Sequence, residues 1–98
     1  MKYKVIVDKD FIDIVPDYLQ RRKEELFKLK NLVLDENFDE IKKIGHKMIG
    51  SGSGYGFDFI TEKGRELETS AINKDKEKII KIIEQLEDYL SNLDITYE

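Results

Sequence analysis

Apolar residues recur at helical spacing through most of this chain and alternate only at its two ends. From Pro16 to about Leu34, Leu19, Leu26, Leu29 and Val33 share one side of a helix, with Tyr18 and Phe27 on the flank. Arg21, Arg22, Lys23, Glu24 and Glu25 fill the polar side, and a mixed-sign run of this kind reads as a solvated face. Pro16 suits a first turn, where its missing N–H does little harm. Asp35-Glu36-Asn37 makes a turn, and Asn37 with Glu40 three residues on fits a capping box that opens a second helix. On that helix Ile41, Ile44 and Met48 form the buried stripe, and Tyr55 returns to it. A third helix begins near Phe57 or Asp58, with Ile60, Gly64, Leu67 and Ala71 inward. Asn73-Lys74-Asp75 is the last turn, with Asp75 a good N-cap. The fourth helix, to about Leu93, has the cleanest stripe: Ile79, Ile82, Ile83, Leu86, Leu90 and Leu93, flanked by Tyr89. Four helices with short connections predict an all-α fold, an antiparallel up-down-up-down four-helix bundle over about residues 14–93.

The ends read differently. Residues 2–8, KYKVIVD, are β-branched and alternate, and residues 94–98, DITYE, have a similar character. In an even-numbered antiparallel bundle both termini lie at one end, so the two pieces are placed to pair as a small ribbon. Frayed ends are the simpler expectation and the one preferred from sequence.

The stretch Gly45 to Phe57, GHKMIGSGSGYGF, holds the chain's one histidine and five of its six glycines. Each glycine costs a helix about 0.8–1 kcal/mol relative to alanine, so a helix through this run needs a reason. Composition alone would make the run a loop and the histidine idle. Phase argues otherwise. At ~100° per residue His46 falls roughly 165° from the centre of the buried stripe, facing water, with Gly50 and Ser53 below it on the outer side. Gly45 and Gly52 lean inward, where a missing side chain lets another helix approach. Gly64 is expected to pack closely against the second helix.

Composition narrows the chemistry. The 98 residues are enough for one small domain spanning 1–98, 40% hydrophobic and 39% charged. A net charge of −4 argues against nucleic acid as the main partner. With no cysteine, disulfides, zinc–thiolate sites and thiol catalysis are excluded, and a single histidine excludes a multi-histidine metal site within one chain. The chain has no apolar run of membrane-spanning length and no apolar signal-peptide core, so the expectation is a cytoplasmic protein without membrane contact. No GxxxxGK[ST] is present, GSGSGYG does not follow a predicted strand, and no carboxylate cluster for metal falls on the His46 face. No second acid or base is expected near His46, which argues against a hydrolytic enzyme.

Spacing adds a resemblance. H46-x-M48-x-G50-S51-x5-G56 closely resembles the motif of the histidine-containing phosphotransfer (HPt) domain. That motif has His, a large apolar residue at +2, Lys at +3, Gly at +4, Ser at +5 and Gly at +10. Leu67-Glu68 matches the Leu-Glu that the family carries on its next helix, and the likeness covers roughly residues 10 to 93. One position departs: the family's Lys at +3, whose charge steadies the incoming phosphoryl group, is Ile49 here. Lys42 and Lys43, one turn before His46, flank its face and are candidates to supply that charge.

The resemblance implies a phosphorelay carrier. His46 would be the nucleophile, exchanging a phosphoryl group with the aspartate of a response-regulator receiver domain. A hybrid histidine kinase is a further possible partner. HPt domains bring no nucleotide or metal site of their own, and Mg²⁺ comes from the receiver. The partner would cover the face of the second and third helices around His46, with Gly50 giving clearance and Ser53 bordering the docking surface. The charged exterior suggests a monomer. The lost lysine leaves two alternatives open: a degenerate HPt domain that binds a receiver or kinase without carrying phosphate, and a helical bundle with an unrelated structural role.

Overall fold

A computed structural model describes residues 2–98. Its elements are strand β1 (Tyr3–Val7), helices α1 (Val15–Leu34), α2 (Phe38–Gly52), α3 (Asp58–Ile72) and α4 (Lys76–Ser91), and strand β2 (Leu93–Tyr97). A 3₁₀ turn at Lys9–Phe11 leads from β1 towards α1, and another at Ser53–Tyr55 extends α2. No described helix is long and apolar enough to cross a membrane.

Caps and turns set the helix boundaries. The Asn37 side chain accepts the backbone N–H of Glu40, and that of Asp75 accepts the N–H of Lys78, so both predicted caps form. The reciprocal half of the box does not, because the Glu40 carboxylate goes to Lys43. At the end of α1, Glu36 takes φ 54° while Asn37 N–H reaches back to the Leu32 carbonyl at 2.9 Å. The end of α3 repeats this: Lys74 has φ 54° and Asp75 N–H bonds the Ser70 carbonyl at 2.8 Å. Both are Schellman stops, and in each the residue after the left-handed one also caps the next helix. The α2–α3 connection uses the same device with Gly56 at φ 93° and Phe57 N–H on the Gly52 carbonyl.

The predicted stripes meet in one core. Leu29, Ile41, Met48, Phe57, Ile60, Leu67, Ile79, Ile82 and Leu86 are fully buried, as are Val7 and Val15. Two stripe assignments need correction. Arg22, read as solvated, occupies an inward position of α1 between Tyr18 and Leu26 and is buried, while Phe27 is 73% exposed. Leu93 belongs to β2, because α4 stops at Ser91.

The start of α1, the end of α2, the start of α3 and the end of α4 come together in an aromatic cluster. Tyr18 lies 4.9 Å from Tyr55 and 5.9 Å from Phe57 between ring centroids, and Phe59 lies 4.4 Å from Tyr89. The tails close over this end. They are not frayed: β1 and β2 pair in parallel, Tyr3 opposite Leu93 and Val7 opposite Tyr97. A parallel pair needs a long crossover, and here the four helices form it. Tyr3 stacks on Phe59, packs against Tyr89 and donates to Asp88 at 2.8 Å, which raises the Tyr3 phenol pKa. Burial pushes the Tyr89 phenol up to about 12. Aromatic contacts thus explain why the ends are held. The fold is mostly helical with a short ribbon, where sequence alone favoured helices with loose ends.

Candidate functional site

The site rests on a seam between α2 and α3 that glycine makes possible. A Cβ added to Gly45 would lie 2.8 Å from the Gly64 carbonyl oxygen and 2.9 Å from the Glu68 nitrogen. One added to Gly64 would lie 2.8 Å from the Gly45 carbonyl oxygen and 3.0 Å from the Ile49 nitrogen. The two backbones therefore touch, as the inward phase of Gly45 and Gly64 predicts. Two turns along α2, Gly52 faces Thr61, whose buried hydroxyl accepts the Ser53 N–H at 2.8 Å and donates to the Ile49 carbonyl at 3.3 Å. The hydroxyl ties the last turn of α2 to α3, which holds a glycine-rich segment helical through Gly52.

Backbone contact fixes which side chains meet above the seam. His46 points outward with its side chain 78% exposed, and its Nδ1 lies 3.1 Å from Glu68 Oε2 on α3. A carboxylate only accepts, so in the neutral imidazole Nδ1 carries the proton and Nε2 is the free lone pair. The expectation that no acid or base stands near His46 is therefore wrong. The signals were the Leu67-Glu68 pair and the Gly45–Gly64 contact, which together set Glu68 beside His46.

Lys42, Lys43, His46 and Glu68 line one broad surface depression of about 670 Å³, together with Lys28, Asp39, Glu40, Ile44 and Lys47. Lys43 Nζ is drawn to Glu40 Oε1 at 3.2 Å. Lys42 forms no ion pair among the described residues. Gly50 is exposed, and a Cβ there would meet nothing within 4 Å, so the floor beside His46 is open. Ser53 is exposed in the 3₁₀ turn at the end of α2. The structure thus brings Lys42, Lys43 and Glu68 around His46 and leaves Gly50 and Ser53 on exposed backbone further along. Among the described residues no three carboxylate or imidazole side chains converge to hold a metal ion.

Ser51 serves another purpose. Its hydroxyl donates to the Lys47 carbonyl at 3.1 Å and so accepts both from Tyr18 Oη at 3.1 Å and from Arg22 Nη1 at 3.2 Å. Arg22 sits 4.6 Å over the Tyr18 ring and pairs with Glu25, donating from Nη2 to Oε2 at 3.2 Å. Its Nε is 2.7 Å from Glu25 Oε1 but off-line for a hydrogen bond. Burial raises the Glu25 pKa, and the Arg22 charge and hydrogen bond only partly offset that. This network joins α1 to α2 on the side away from Glu68.

Compared with known proteins, the chain matches no family model, no curated protein and no solved structure.

Proposed function

We propose that this chain is a phosphoryl carrier of the HPt kind, in which His46 accepts a phosphoryl group from a receiver-domain aspartate and can return it. The observation that carries the reading is the His46–Glu68 pair: an exposed imidazole with Nδ1 held at 3.1 Å by a carboxylate on the neighbouring helix. The meeting of alternate helix ends in the aromatic cluster supports reading the helices as an antiparallel up-down-up-down bundle. A bundle of this kind gives the imidazole a rigid platform.

The transfer balances without a group of this chain's own beyond the imidazole. The Nε2 lone pair attacks phosphorus in line, the P–N bond forms, and the P–O bond to the aspartate breaks with its electron pair leaving on the carboxylate. The proton on Nδ1 stays there, and Glu68 stabilises the positive charge that develops on the ring. The receiver supplies Mg²⁺. Lys42 and Lys43 attract the anionic group, Lys42 more freely because Lys43 is shared with Glu40. Gly50 and Ser53 lie on the face that a receiver or hybrid histidine kinase would cover, in a cytoplasmic monomer.

The test is transfer from a phosphorylated receiver domain in the presence of Mg²⁺, wild type against His46→Gln. Acid-labile label on wild type alone supports the carrier. Receiver binding without label on either protein replaces it with the degenerate binding module, in keeping with Ile49 at +3. Neither label nor binding across a panel of receivers leaves a helical structural protein.

A further inference from the structure

The α2–α3 seam carries an internal two-fold symmetry. The contacts of Gly45 and Gly64 are reciprocal. Gly45 meets the Gly64 carbonyl, the Leu67 Cβ and the Glu68 nitrogen, while Gly64 meets the Gly45 carbonyl, the Met48 Cβ and the Ile49 nitrogen. A local two-fold axis normal to the seam therefore carries Gly45 onto Gly64, Met48 onto Leu67 and Ile49 onto Glu68. The same operation carries His46 onto Arg65. Because the axis keeps the outer face outward, the same operation puts Arg65 on the exposed side of α3 at the level of His46 on α2. It stands beside Ile49 as His46 stands beside Glu68. Arg65 is exposed and forms no ion pair among the described residues.

We infer that Arg65 is the phosphate-binding cation of the His46 site, an inference that rests on His46 being a phosphoryl acceptor. A phosphoryl group on Nε2 brings negative charge to an imidazole already paired with the Glu68 carboxylate, so the site needs a cation aimed at the outward nitrogen. Lys43 is engaged by Glu40 and Lys42 lies a turn away on α2 itself. Arg65 approaches from the opposite helix with a planar guanidinium that can hold two phosphoryl oxygens at once, which a lysine cannot. The contribution that Ile49 cannot make on α2 is thus supplied from α3, one symmetry step away.

Phosphoramidate tests this without any partner protein. In that reaction Nε2 attacks phosphorus and a P–Nε2 bond forms, while the donor's own P–N bond breaks and its electron pair leaves on nitrogen as ammonia. Rates of His46 labelling would be compared for wild type, Arg65→Gln, Arg65→Lys and, as a surface-charge control on α4, Lys81→Gln. The same set would then be run with a phosphorylated receiver and Mg²⁺. Arg65→Gln should slow labelling of His46 about fivefold to tenfold with both donors and Arg65→Lys should recover part of it. Lys81→Gln should label as wild type does, and far-ultraviolet circular dichroism should be unchanged throughout. Equal rates for wild type and Arg65→Gln overturn the role of Arg65 while leaving His46 a carrier. Equal losses in Arg65→Gln and Lys81→Gln overturn it as well, by showing a net-charge effect. Label from phosphoramidate but from no receiver, with Arg65→Gln still slow, keeps the Arg65 inference and removes the phosphorelay reading. No label on wild type from either donor removes both.

Discussion

Helix α2 is held on its two flanks by opposite means. Towards α3 the contact is backbone on backbone, with Gly45 and Gly64 stripped of side chains so that carbonyls and amides meet. Towards α1 the contact, made in the last turn of α2, is long and polar, a chain of Tyr18, Ser51, Arg22 and Glu25. The first kind of seam has one register and no slack, because backbone atoms cannot change rotamer. The second can lengthen, tilt or admit water at modest cost. His46 and Glu68 stand on the rigid flank. A pair that must hold an imidazole in one tautomer needs its two backbones fixed to well within a hydrogen-bond length, and glycine contact does this more tightly than packed side chains.

The contrast breaks most sharply at Gly64. Gly64→Ala gains about 1 kcal/mol of helix propensity, yet its new methyl would fall 2.8 Å from both the Gly45 carbonyl oxygen and the Met48 Cβ. We expect a net loss of about 2 kcal/mol, since overpacking costs about 3 kcal/mol where neither side can move. The check is the midpoint of urea unfolding. An unchanged or raised midpoint would mean that the seam has slack after all.

On the α1 flank the expected loss is smaller. Arg22→Met keeps the buried stem and removes the charge, leaving Glu25 without its donor and Ser51 with Tyr18 alone. Because Glu25 retains access to water, the cost should be about 1–2 kcal/mol. The His46–Glu68 contact, seen as the histidine Nδ1 proton resonance, should be undisturbed. A Gly64→Ala protein that still folds should lose it. If Arg22→Met disturbs the resonance as much, the two flanks are not independent.

Much of this contrast is readable in the residues and some is not. Gly45, Gly52 and Gly64 fall on inward phases of their helices, so close approach of α2 and α3 follows from periodicity. The caps at Asn37 and Asp75 follow from residue type. Arg22 reads as solvated because it sits inside a charged run, although its spacing from Tyr18 and Leu26 places it inward. That Glu68 neighbours His46 is not readable from helical phase, which describes one helix at a time. Only the pairing of Gly45 with Gly64 relates the two. The ribbon is hidden for a similar reason: KYKVIVD and DITYE are weak strands alone, and they are held by Tyr3 on Phe59 and Tyr89, contacts that no local pattern announces.

Gly50 is placed in the opposite way to Gly64. It lies on the same helix as Gly45, yet nothing surrounds the place of its missing Cβ. Gly50→Ala should therefore stabilise the protein by about 0.5–1 kcal/mol through helix propensity alone. The same substitution thus has opposite signs at Gly50 and Gly64. If His46 is approached by a receiver, Gly50→Ala should also weaken that docking while thermal stability rises. Stability and docking rising together would remove Gly50 from the interface.

The smallest effect concerns the polar flank and pH. Burial raises the Glu25 pKa above its ordinary 4.5, with the charge and hydrogen bond of Arg22 and the more distant Lys47 and Lys28 opposing the rise. A folded-state carboxyl that holds its proton more tightly than the unfolded one adds stability when protonated. That contribution is full below the unfolded value and fades as pH rises through the raised folded value. Between about pH 4.5 and the folded midpoint, wild type should therefore lose a little stability as pH increases. Glu25→Gln, which has no proton to release, should lack that slope. Its absolute stability will also shift because Arg22 loses its counter-charge, so the slope and not the level carries the comparison. Carbon-13 titration of the Glu25 carboxyl gives the direct reading. A midpoint at or below 4.5 would mean that Arg22 outweighs burial, and that the polar flank of α2 is a tighter ion pair than its geometry implies.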